Sequence, residues 1–341
     1  MSLNKFNLKN KSLLITGGTG SLGKALTKEL LLKNYGLKKI IILSRDEQKH
    51  FQMSQEFPQE KYKQLRYFIG DVRDKDRLIR AFQNVDIVVH AAAMKHVHLA
   101  EYNPDECIKT NIEGARNVVD ASLICKVKRI VALSTDKACA PINLYGATKL
   151  TSDKLFISAN NLKGNLDIRF SVVRYGNVMG SNGSVIPFFI KKKNNNEIFP
   201  ITHPEMTRFN ISLKEGVNMV LNACVNAWGG EIFIPKIPSY KILDVVNAID
   251  SKAKTKIVGV RPGEKIHEEM ITSSDSYNTY DLGKYYAIIP QVPKWNLNQF
   301  LKFHNASKVS EGFSYNSKDN LEWETISSLR NLIKKNVDKN F

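Results

Sequence analysis

The chain has 341 residues, of which 43% are hydrophobic and 24% charged, a balance typical of folded globular proteins rather than disordered ones. No apolar run approaches the roughly 18–20 residues of a membrane helix, and the polar stretch Met1–Lys11 lacks the apolar core of a signal peptide, so a cytoplasmic protein is expected. The net charge of +17 would suit a nucleic-acid binder, but lysines spread along the whole chain favour solvated surfaces and a ligand that carries a diphosphate.

Apolar runs alternate with amphipathic stretches along the first half of the chain. Strands are predicted at Ser12–Thr16, Lys39–Ser44, Leu65–Gly70, Asp86–Ala91, Arg129–Ser134 and Phe170–Arg174. Helices are predicted at Leu22–Lys33, Asp74–Gln83, Cys107–Cys125 and Ala147–Ala159. This alternation predicts an α/β protein with a Rossmann-like, doubly wound parallel sheet, and the continuous Val/Ile/Leu runs indicate strands buried on both faces.

The pattern loosens after about Asn177, where prolines become frequent. The elements predicted there are a helix at Lys214–Val225, a strand at Glu231–Ile234, a helix at Ile242–Ile249 and a strand at Lys256–Val260. Past Ser273 the chain is predicted to be irregular until a final helix near Trp323–Lys335. We therefore expect a Rossmann domain in residues 1–180 and a smaller α/β portion with a tail in 181–341, with parts of the later chain returning to the first domain.

The first predicted strand leads into a glycine-rich turn and then a helix. Its sequence, Gly-Gly-Thr-Gly-Ser-Leu-Gly, contains the pattern G-x-x-G-x-x-G. Glycine permits the tight turn and lets a pyrophosphate approach the backbone, while the helix N-terminus offers N–H groups to the phosphates. A dinucleotide site is therefore predicted, with contacts from Gly17, Thr19, Gly20, Ser21, Leu22 and Gly23.

The end of the second strand bears on the choice of dinucleotide. It reads Ser44-Arg45-Asp46, and the guanidinium fork of Arg45 suits a 2′-phosphate. NADP is therefore predicted, although Asp46 leaves NAD open as an acceptor for ribose hydroxyls. Further contacts are expected where the third and fourth strands end, at Asp71, Val72 and Ala91.

A candidate catalytic set follows the fifth strand, which ends in Ser134-Thr135-Asp136-Lys137. Tyr145 then begins a Y-x-x-x-K pattern that ends at Lys149. Residues i and i+4 share one face of a helix, so Lys149 would favour the phenolate of Tyr145, whose ordinary pKa is about 10. The pattern predicts that Tyr145 acts as a base near neutral pH.

The cysteines and histidines indicate neither a metal site nor a disulfide framework. His96 and His98 lie two residues apart, but no carboxylate or thiol cluster completes a ligand set. The four cysteines are widely spaced and form no C-x-x-C pair; they are Cys107, Cys125, Cys139 and Cys224.

These motifs together resemble the extended short-chain dehydrogenases/reductases. More narrowly, the chain resembles the inverting UDP-N-acetylglucosamine 4,6-dehydratases of pseudaminic acid synthesis. The resemblance covers essentially the whole chain, including the tail near 312–324. Matching stretches are Ser44–Glu47, Ala91–Val97, Ala100–Asn111, Ser134–Lys149, Arg174–Gly180, Met206–Phe209, Glu231–Pro238 and Arg261–Glu268. The chain departs from the family at His98, Ala140 and Asn210, where proline, asparagine and tryptophan are expected.

The resemblance implies a redox-neutral, NADP-dependent hydro-lyase. Tyr145 would take the proton of the sugar 4-hydroxyl as hydride passes from C4 to NADP, with Thr135 and Lys149 beside it. Lys137 would then remove the acidified C5 proton, and Asp136 would protonate the leaving 6-hydroxyl. Return of hydride to C6 and reprotonation of C5 from the opposite face would give UDP-2-acetamido-2,6-dideoxy-beta-L-arabino-hex-4-ulose.

A lysine base must be neutral, whereas the ordinary pKa of lysine is about 10.4. Burial beside Lys149 and the charged nicotinamide would lower the pKa of Lys137, and the carboxylate of Asp136 would raise it. The sequence leaves the net direction open.

The resemblance also implies the substrate contacts and the assembly. Contacts to UDP-N-acetylglucosamine are expected from Lys95, Asn177, Arg208, Arg261 and Glu264, with the two arginines on the diphosphate and Glu264 on the uridine ribose. A homo-oligomer is expected, with no nucleic-acid or membrane partner.

Three other functions fit the same fold. A UDP-N-acetylhexosamine 4-epimerase shares the cofactor loop and the Tyr-x-x-x-Lys pattern but needs no acid/base pair for elimination, so Asp136 and Lys137 argue against it. A retaining 4,6-dehydratase would carry membrane helices and lack Tyr145. A non-catalytic NADP-sensing or RNA-binding relative would have no use for the intact catalytic set.

Overall fold

The computed structural model describes residues 6–180 and 184–338. The first residues of the stretch Met1–Lys11, the start of the predicted C-terminal portion and the last three residues of the tail lie outside that range. Within it, no helix combines the length and apolarity that crossing a membrane requires.

The strands and helices are as follows. The strands are β1 (Ser12–Thr16), β2 (Lys39–Ser44), β3 (Leu65–Ile69), β4 (Ile87–His90), β5 (Arg129–Leu133), β6 (Arg169–Val173), β7 (Asn177–Val178), β8 (Phe199–Ile201), β9 (Thr207–Ile211), β10 (Ile232–Pro235), β11 (Ser239–Lys241), β12 (Thr255–Ile257), β13 (Glu269–Ile271), β14 (Thr279–Asp281), β15 (Tyr285–Ile288), β16 (Ser307–Lys308) and β17 (Tyr315–Asn316). The helices are α1 (Ser21–Leu32), α2 (Glu47–Glu56), α3 (Lys75–Ala81), α4 (Val97–Tyr102), α5 (Pro104–Ile108), α6 (Gly114–Ile124), α7 (Leu144–Ser158), α8 (Val185–Asn194), α9 (Leu213–Asn226), α10 (Ile242–Ile249), α11 (Leu297–His304) and α12 (Ile326–Asn336).

The large sheet has ten strands in the order β3-β2-β1-β4-β5-β6-β10-β15-β14-β16. From β3 to β10 all neighbours are parallel, which confirms the predicted doubly wound α/β class. β15, β14 and β16 add antiparallel strands at one edge. The prediction of irregular structure after Ser273 was therefore wrong. These strands are too short to show a clear alternation, and they are fixed by pairing rather than by local pattern.

Two apolar layers enclose the sheet because successive side chains of a strand point to opposite faces. On β1, Leu13 and Ile15 pack into a core that includes residues of α1 and α9. Leu14, between them, packs into the opposite core, to which α3, α6 and α7 contribute. Both faces are thus covered, and the carboxyl ends of the parallel strands meet at one edge of the sandwich.

A smaller third core lies in the later part of the chain. Side chains of α8, β8, α10 and α12 surround the stacked rings of Phe189 and Phe199, whose centroids are 5.1 Å apart. The short sheet β11-β9-β7 runs beside this core. Leu329 and Ile333 of the final helix pack into this third core, whereas the paired strands β13 and β17 pack into the core on the α3, α6 and α7 side of the large sheet.

Two helices differ from prediction for local reasons. α2 was not predicted because its sequence is mostly polar, with only His50 and Met53 buried, and it is defined instead by the side-chain cap of Asp46. The helix predicted as Cys107–Cys125 already begins at Pro104, and it passes through a π-helical turn at Lys109–Glu113 before α6. π-helical turns of this kind occur frequently at functional sites.

Ala140 occupies a strained backbone position between the candidate catalytic residues Lys137 and Tyr145. Its φ is +42°, in the left-handed region that costs an L-residue other than glycine or asparagine about 1–2 kcal/mol. We expect Ala140→Asn to raise the free energy of unfolding by about 0.5–1 kcal/mol, measured by urea denaturation. Ala147→Asn, at an exposed position inside α7, is the control and should lower it. No gain from Ala140→Asn would contradict this interpretation.

Candidate active site

An open cleft of about 1550 Å³ lies at the carboxyl ends of the parallel strands. This volume exceeds the roughly 300–1,000 Å³ of a pocket for one small ligand, so the cleft has room for a dinucleotide and a second large ligand. Its walls come from both parts of the chain. The turn after β1 and the ends of β2 to β5 form one side, and segments after β7, around α8 and at 261–268 form the other.

The glycine-rich turn is shaped for a close backbone approach. Gly17 has φ +65°, and a Cβ there would lie 2.7 Å from the backbone nitrogen of Ala92. A Cβ on Gly23 would lie 2.4 Å from the carbonyl oxygen of Gly18. Neither position tolerates a side chain, and Gly20 caps α1 so that its N-terminus faces the cleft. All six residues predicted for this loop line the cleft, a cradle that fits a dinucleotide pyrophosphate.

The end of β2 presents cations to the cleft. Arg45 is 55% exposed and lies 3.6 Å from Asp71. Asp46 caps α2 by accepting the N–H of Lys49 at 2.9 Å and also pairs with the Lys49 ammonium at 3.0 Å. These hydrogen bonds from Lys49 lower the pKa of Asp46. The carboxylate of Asp46 is therefore engaged within the protein, while Arg45 and Lys49 both line the cleft.

The other predicted cofactor residues lie along the same wall. Ser44 Oγ is within hydrogen-bond distance of Thr19 Oγ1 at 2.9 Å and of His50 Nε2 at 3.0 Å. Asp71 forms hydrogen bonds with Arg73, and although burial opposes the effect, these bonds lower the pKa of Asp71. Val72 and Ala91, the last two residues predicted to contact the cofactor, also line the cleft.

A buried polar cluster follows β5. Thr135 caps a short 3-10 turn, and its Oγ1 donates to Asp136 Oδ1 at 2.9 Å. Lys137 Nζ donates to the same oxygen at 3.0 Å. Asp136 is fully buried, but 22% of the Lys137 side chain is exposed, so the lysine remains open to the cleft. The three predicted residues thus form one hydrogen-bonded group.

Glu268, which was not predicted as a site residue, joins this group from the other wall. Its Oε1 lies 3.0 Å from Lys137 Nζ and 3.7 Å from Arg208 Nε. The backbone N–H of Glu268 donates to Ser317 Oγ at 2.9 Å, and Ser317 N–H donates back to the Glu268 carbonyl at 2.7 Å. The C-terminal tail therefore holds this carboxylate against Lys137.

Burial and the charges in the cluster shift the pKa values of the two carboxyl groups in opposite directions. Burial raises the pKa of Asp136, and the charge of Glu268 adds to this while Lys137 opposes it. Burial alone would also raise the pKa of Glu268, but Lys137 and Arg208 outweigh it and lower that pKa. For Lys137, burial disfavours the ammonium, yet the charges of Asp136 and Glu268 prevail and raise its pKa. The net direction that the sequence left open is therefore upward, and the two carboxyl groups favour the ammonium form of Lys137.

Tyr145 and Lys149 lie on α7 and are both buried. Burial raises the pKa of Tyr145 to about 12, opposed by the charge of Lys137 and a hydrogen bond with Thr135. Burial lowers the pKa of Lys149, and Asp153 opposes that shift. The charge of Lys137 therefore favours the Tyr145 phenolate, and the same role for Lys149 stays a prediction.

The five predicted substrate residues also line the cleft but differ in availability. Arg208 is buried, and its Nη1 donates to the carbonyl oxygens of Thr207 and Ile266 at 2.7 and 3.0 Å. Arg261 is 64% exposed and lies 3.8 Å from Glu264. Burial lowers the pKa of Lys95. The fifth, Asn177, has its Oδ1 3.5 Å from Lys137 Nζ.

Sequence reasoning missed Glu268 as a member of the site, together with Lys49. Glu268 ends the stretch Arg261–Glu268 that resembled a known family, which was the one available signal. Lys49 follows Asp46 by one helical turn, and an i, i+3 pair of this kind could have indicated it. Across residues 6–180 and 184–338, no group of three or more His, Cys, Asp or Glu side chains could hold a metal ion.

The chain is similar to several known proteins. Residues 13–290 match a family described as "Polysaccharide biosynthesis protein". The UDP-N-acetylglucosamine 4,6-dehydratase (inverting) of Campylobacter jejuni subsp. jejuni serotype O:23/36 (strain 81-176) is 55% identical, over 96% of this chain and 98% of its own. The UDP-glucose 4-epimerase of Rickettsia canadensis (strain McKiel) is 41% identical, over 82% and 83%. The X-ray structure of Pen from Bacillus thuringiensis superposes with a TM-score of 0.88 at 37% identity, over 97% and 99%.

Proposed function

Because the chain belongs to the polysaccharide biosynthesis protein family and, within it, to the inverting UDP-N-acetylglucosamine 4,6-dehydratases, we propose that it removes water from UDP-N-acetylglucosamine and inverts C5. The observation that carries this proposal is the buried group of Asp136, Lys137 and Glu268 beside Tyr145. A 4-epimerase needs only the tyrosine and the dinucleotide, whereas an elimination also needs an acid and a base.

For the cofactor we propose NADP, held by the glycine turn and the end of β2. When bound, this group would take hydride from C4 of the sugar and return it to C6. The choice over NAD is supported by Arg45 and Lys49, which place two cations at this corner of the cleft. It is also supported by Asp46, whose carboxylate caps α2 and pairs with Lys49.

The roles of the catalytic residues follow from their surroundings. Tyr145 accepts the proton of the 4-hydroxyl, and Lys137 and Thr135 stabilise its phenolate. Lys137 faces the cleft and removes the C5 proton. Asp136, whose raised pKa keeps its proton available, donates to the leaving 6-hydroxyl.

The substrate is proposed to lie along the wall formed by the later chain, residues 181–341. Arg261 is the better ligand for the diphosphate because its guanidinium is exposed, while Arg208 already donates to two backbone carbonyls. Glu264 is assigned to the uridine ribose, and Lys95 and Asn177 to the sugar or diphosphate. Assembly into a homo-oligomer, a cytoplasmic location and a place in pseudaminic acid synthesis stay predictions.

Arg45→Ala should weaken binding of NADP by about tenfold to a hundredfold while changing the affinity for NAD little, because only NADP carries the 2′-phosphate. Isothermal titration with each dinucleotide measures this. Arg80→Ala removes an exposed arginine that does not line the cleft and is the matched control for the change in net charge. Equal losses of NADP and NAD affinity in Arg45→Ala would contradict the 2′-phosphate assignment.

The reaction itself is tested by mass spectrometry of UDP-N-acetylglucosamine incubated with the protein and substoichiometric NADP. Conversion of the whole substrate pool to a product lighter by one water, without net reduction of the cofactor, is expected for a redox-neutral dehydratase. A product of unchanged mass would instead indicate a 4-epimerase.

A further inference from the structure

The structure gives Lys137 two carboxyl partners, although the proposed reaction requires it to be a neutral base. Asp136 Oδ1 and Glu268 Oε1 each lie 3.0 Å from its Nζ. An ammonium group cannot accept the C5 proton until it has lost one of its own. The question is which group takes that proton.

Asp136 is poorly suited to take it. Its Oδ1 already accepts two hydrogen bonds, from Thr135 and Lys137. In the proposed reaction it also has to carry a proton when the 6-hydroxyl leaves. With that proton in place Asp136 is a neutral carboxylic acid and cannot take a second proton from Lys137.

Glu268 is the other carboxyl group in contact with Lys137, and like Asp136 it has one oxygen 3.0 Å from Nζ and one oxygen without a hydrogen-bond partner among the described residues. It is fully buried, its Oε1 faces Lys137, and its Oε2 has no hydrogen-bond partner among the described residues. Arg208 lies 3.7 Å from Oε1, and the backbone of Glu268 is held on both sides by Ser317. The carboxylate is thus fixed in place, shielded from bulk water and in contact with the ammonium group.

We propose that Glu268 is a positioning residue that accepts a proton from Lys137 and so leaves this lysine neutral for attack on C5; this rests on the proposed dehydratase function. An N–H bond of the ammonium breaks and an O–H bond forms on Glu268. Rotation about the Cε–Nζ bond turns the nitrogen lone pair toward the cleft. The C5–H bond then breaks and a new N–H bond forms, so protons balance without a further reactant.

Glu268→Gln tests this because glutamine keeps the shape but cannot accept the proton. C5–H cleavage is measured as release of label from UDP-N-acetylglucosamine tritiated at C5, and C4 oxidation as cofactor reduction in a single turnover. We expect label release to fall by about 10²-fold or more, while C4 oxidation changes much less. The residual release should rise about tenfold per pH unit, because Lys137 must now lose its proton to solvent.

Two further proteins complete the test. Glu268→Asp keeps an acceptor and should recover part of the lost rate. Glu269→Gln is the matched control, since this neighbouring glutamate does not line the cleft, and its rates should stay within about twofold of the unmodified protein. In the unmodified protein the internal transfer makes label release nearly independent of pH from about 6 to about 9, below the ordinary lysine pKa of about 10.4.

Several outcomes would overturn the proposal. Label release from Glu268→Gln that equals or exceeds the unmodified rate would mean that Glu268 only keeps Lys137 charged. Equal losses of C4 oxidation and label release would mean a structural role. A release rate in the unmodified protein that climbs tenfold per pH unit would show that Lys137 exchanges its proton with solvent. Failure of the unmodified protein to form any dehydrated product would instead refute the proposed function itself.

Discussion

Lys137→Ala is expected to stop the loss of water while C4 of the sugar is still oxidised. Lys137 is the cation of the cluster that faces the cleft, and it pairs with both Asp136 and Glu268. Removing a general base typically costs about 10²–10⁴-fold in rate. Release of label from C5 and formation of dehydrated product should both fall by this factor, whereas single-turnover reduction of the cofactor should remain measurable.

The interpretation of this variant needs two controls. Removing Lys137 leaves two carboxyl groups buried without their cation, which is destabilising. Lys137→Met, which retains much of the apolar stem, should show the same loss with less effect on thermal stability. Lys154→Ala, at an exposed position on α7 outside the cleft, should leave all rates unchanged. Full dehydratase activity in Lys137→Ala would remove this residue from the mechanism.

Tyr145→Phe should block the reaction one step earlier. Without the phenolic oxygen the proton of the 4-hydroxyl has no acceptor at this position, so cofactor reduction should fall by about 10²–10⁴-fold. Label release from C5 should fall with it, because the C5 proton is acidic only after C4 has become a ketone. The two variants therefore separate the steps. Lys137→Ala slows C4 oxidation, because a charge that favours the Tyr145 phenolate is lost, but leaves it measurable, whereas Tyr145→Phe removes the proton acceptor itself.

Tyr102→Phe is the matched control for Tyr145→Phe, since it removes a hydroxyl group from a tyrosine that is 85% exposed on α4. Its rates and its affinity for NADP should equal those of the unmodified protein. If Tyr145→Phe kept C4 oxidation but lost label release, Tyr145 would belong to the elimination and not to the hydride step.

The parts of the fold that were predicted correctly have local causes. The parallel strands are continuous apolar runs because both faces are covered, Gly17 is required by its positive φ and Gly23 by a close contact with Gly18 in the same turn. The strands β14 and β15 were missed because each is three or four residues long and is defined by antiparallel pairing with β10 and with each other. The polar helix α2 was missed because it buries only two side chains.

The candidate site likewise contains residues that local sequence patterns predict and residues that only distant contacts bring together. Thr135, Asp136 and Lys137 adjoin one another in sequence, and Tyr145 and Lys149 share a helix, so local patterns were sufficient to find them. Glu268 meets Lys137 only because the tail and the strand pair β13–β17 hold it there. The engagement of Arg208 by backbone carbonyls likewise depends on contacts between distant segments, which the sequence pattern did not contain.

The most direct test of the central claim is proton NMR of UDP-N-acetylglucosamine incubated with the protein and catalytic NADP in deuterated water. A new C6 methyl signal, deuterium at C5 and coupling constants of the arabino configuration are the expected result. Appearance of UDP-N-acetylgalactosamine without a methyl signal would contradict the account, because it would mean that the acid/base group of Asp136 and Lys137 does not perform an elimination.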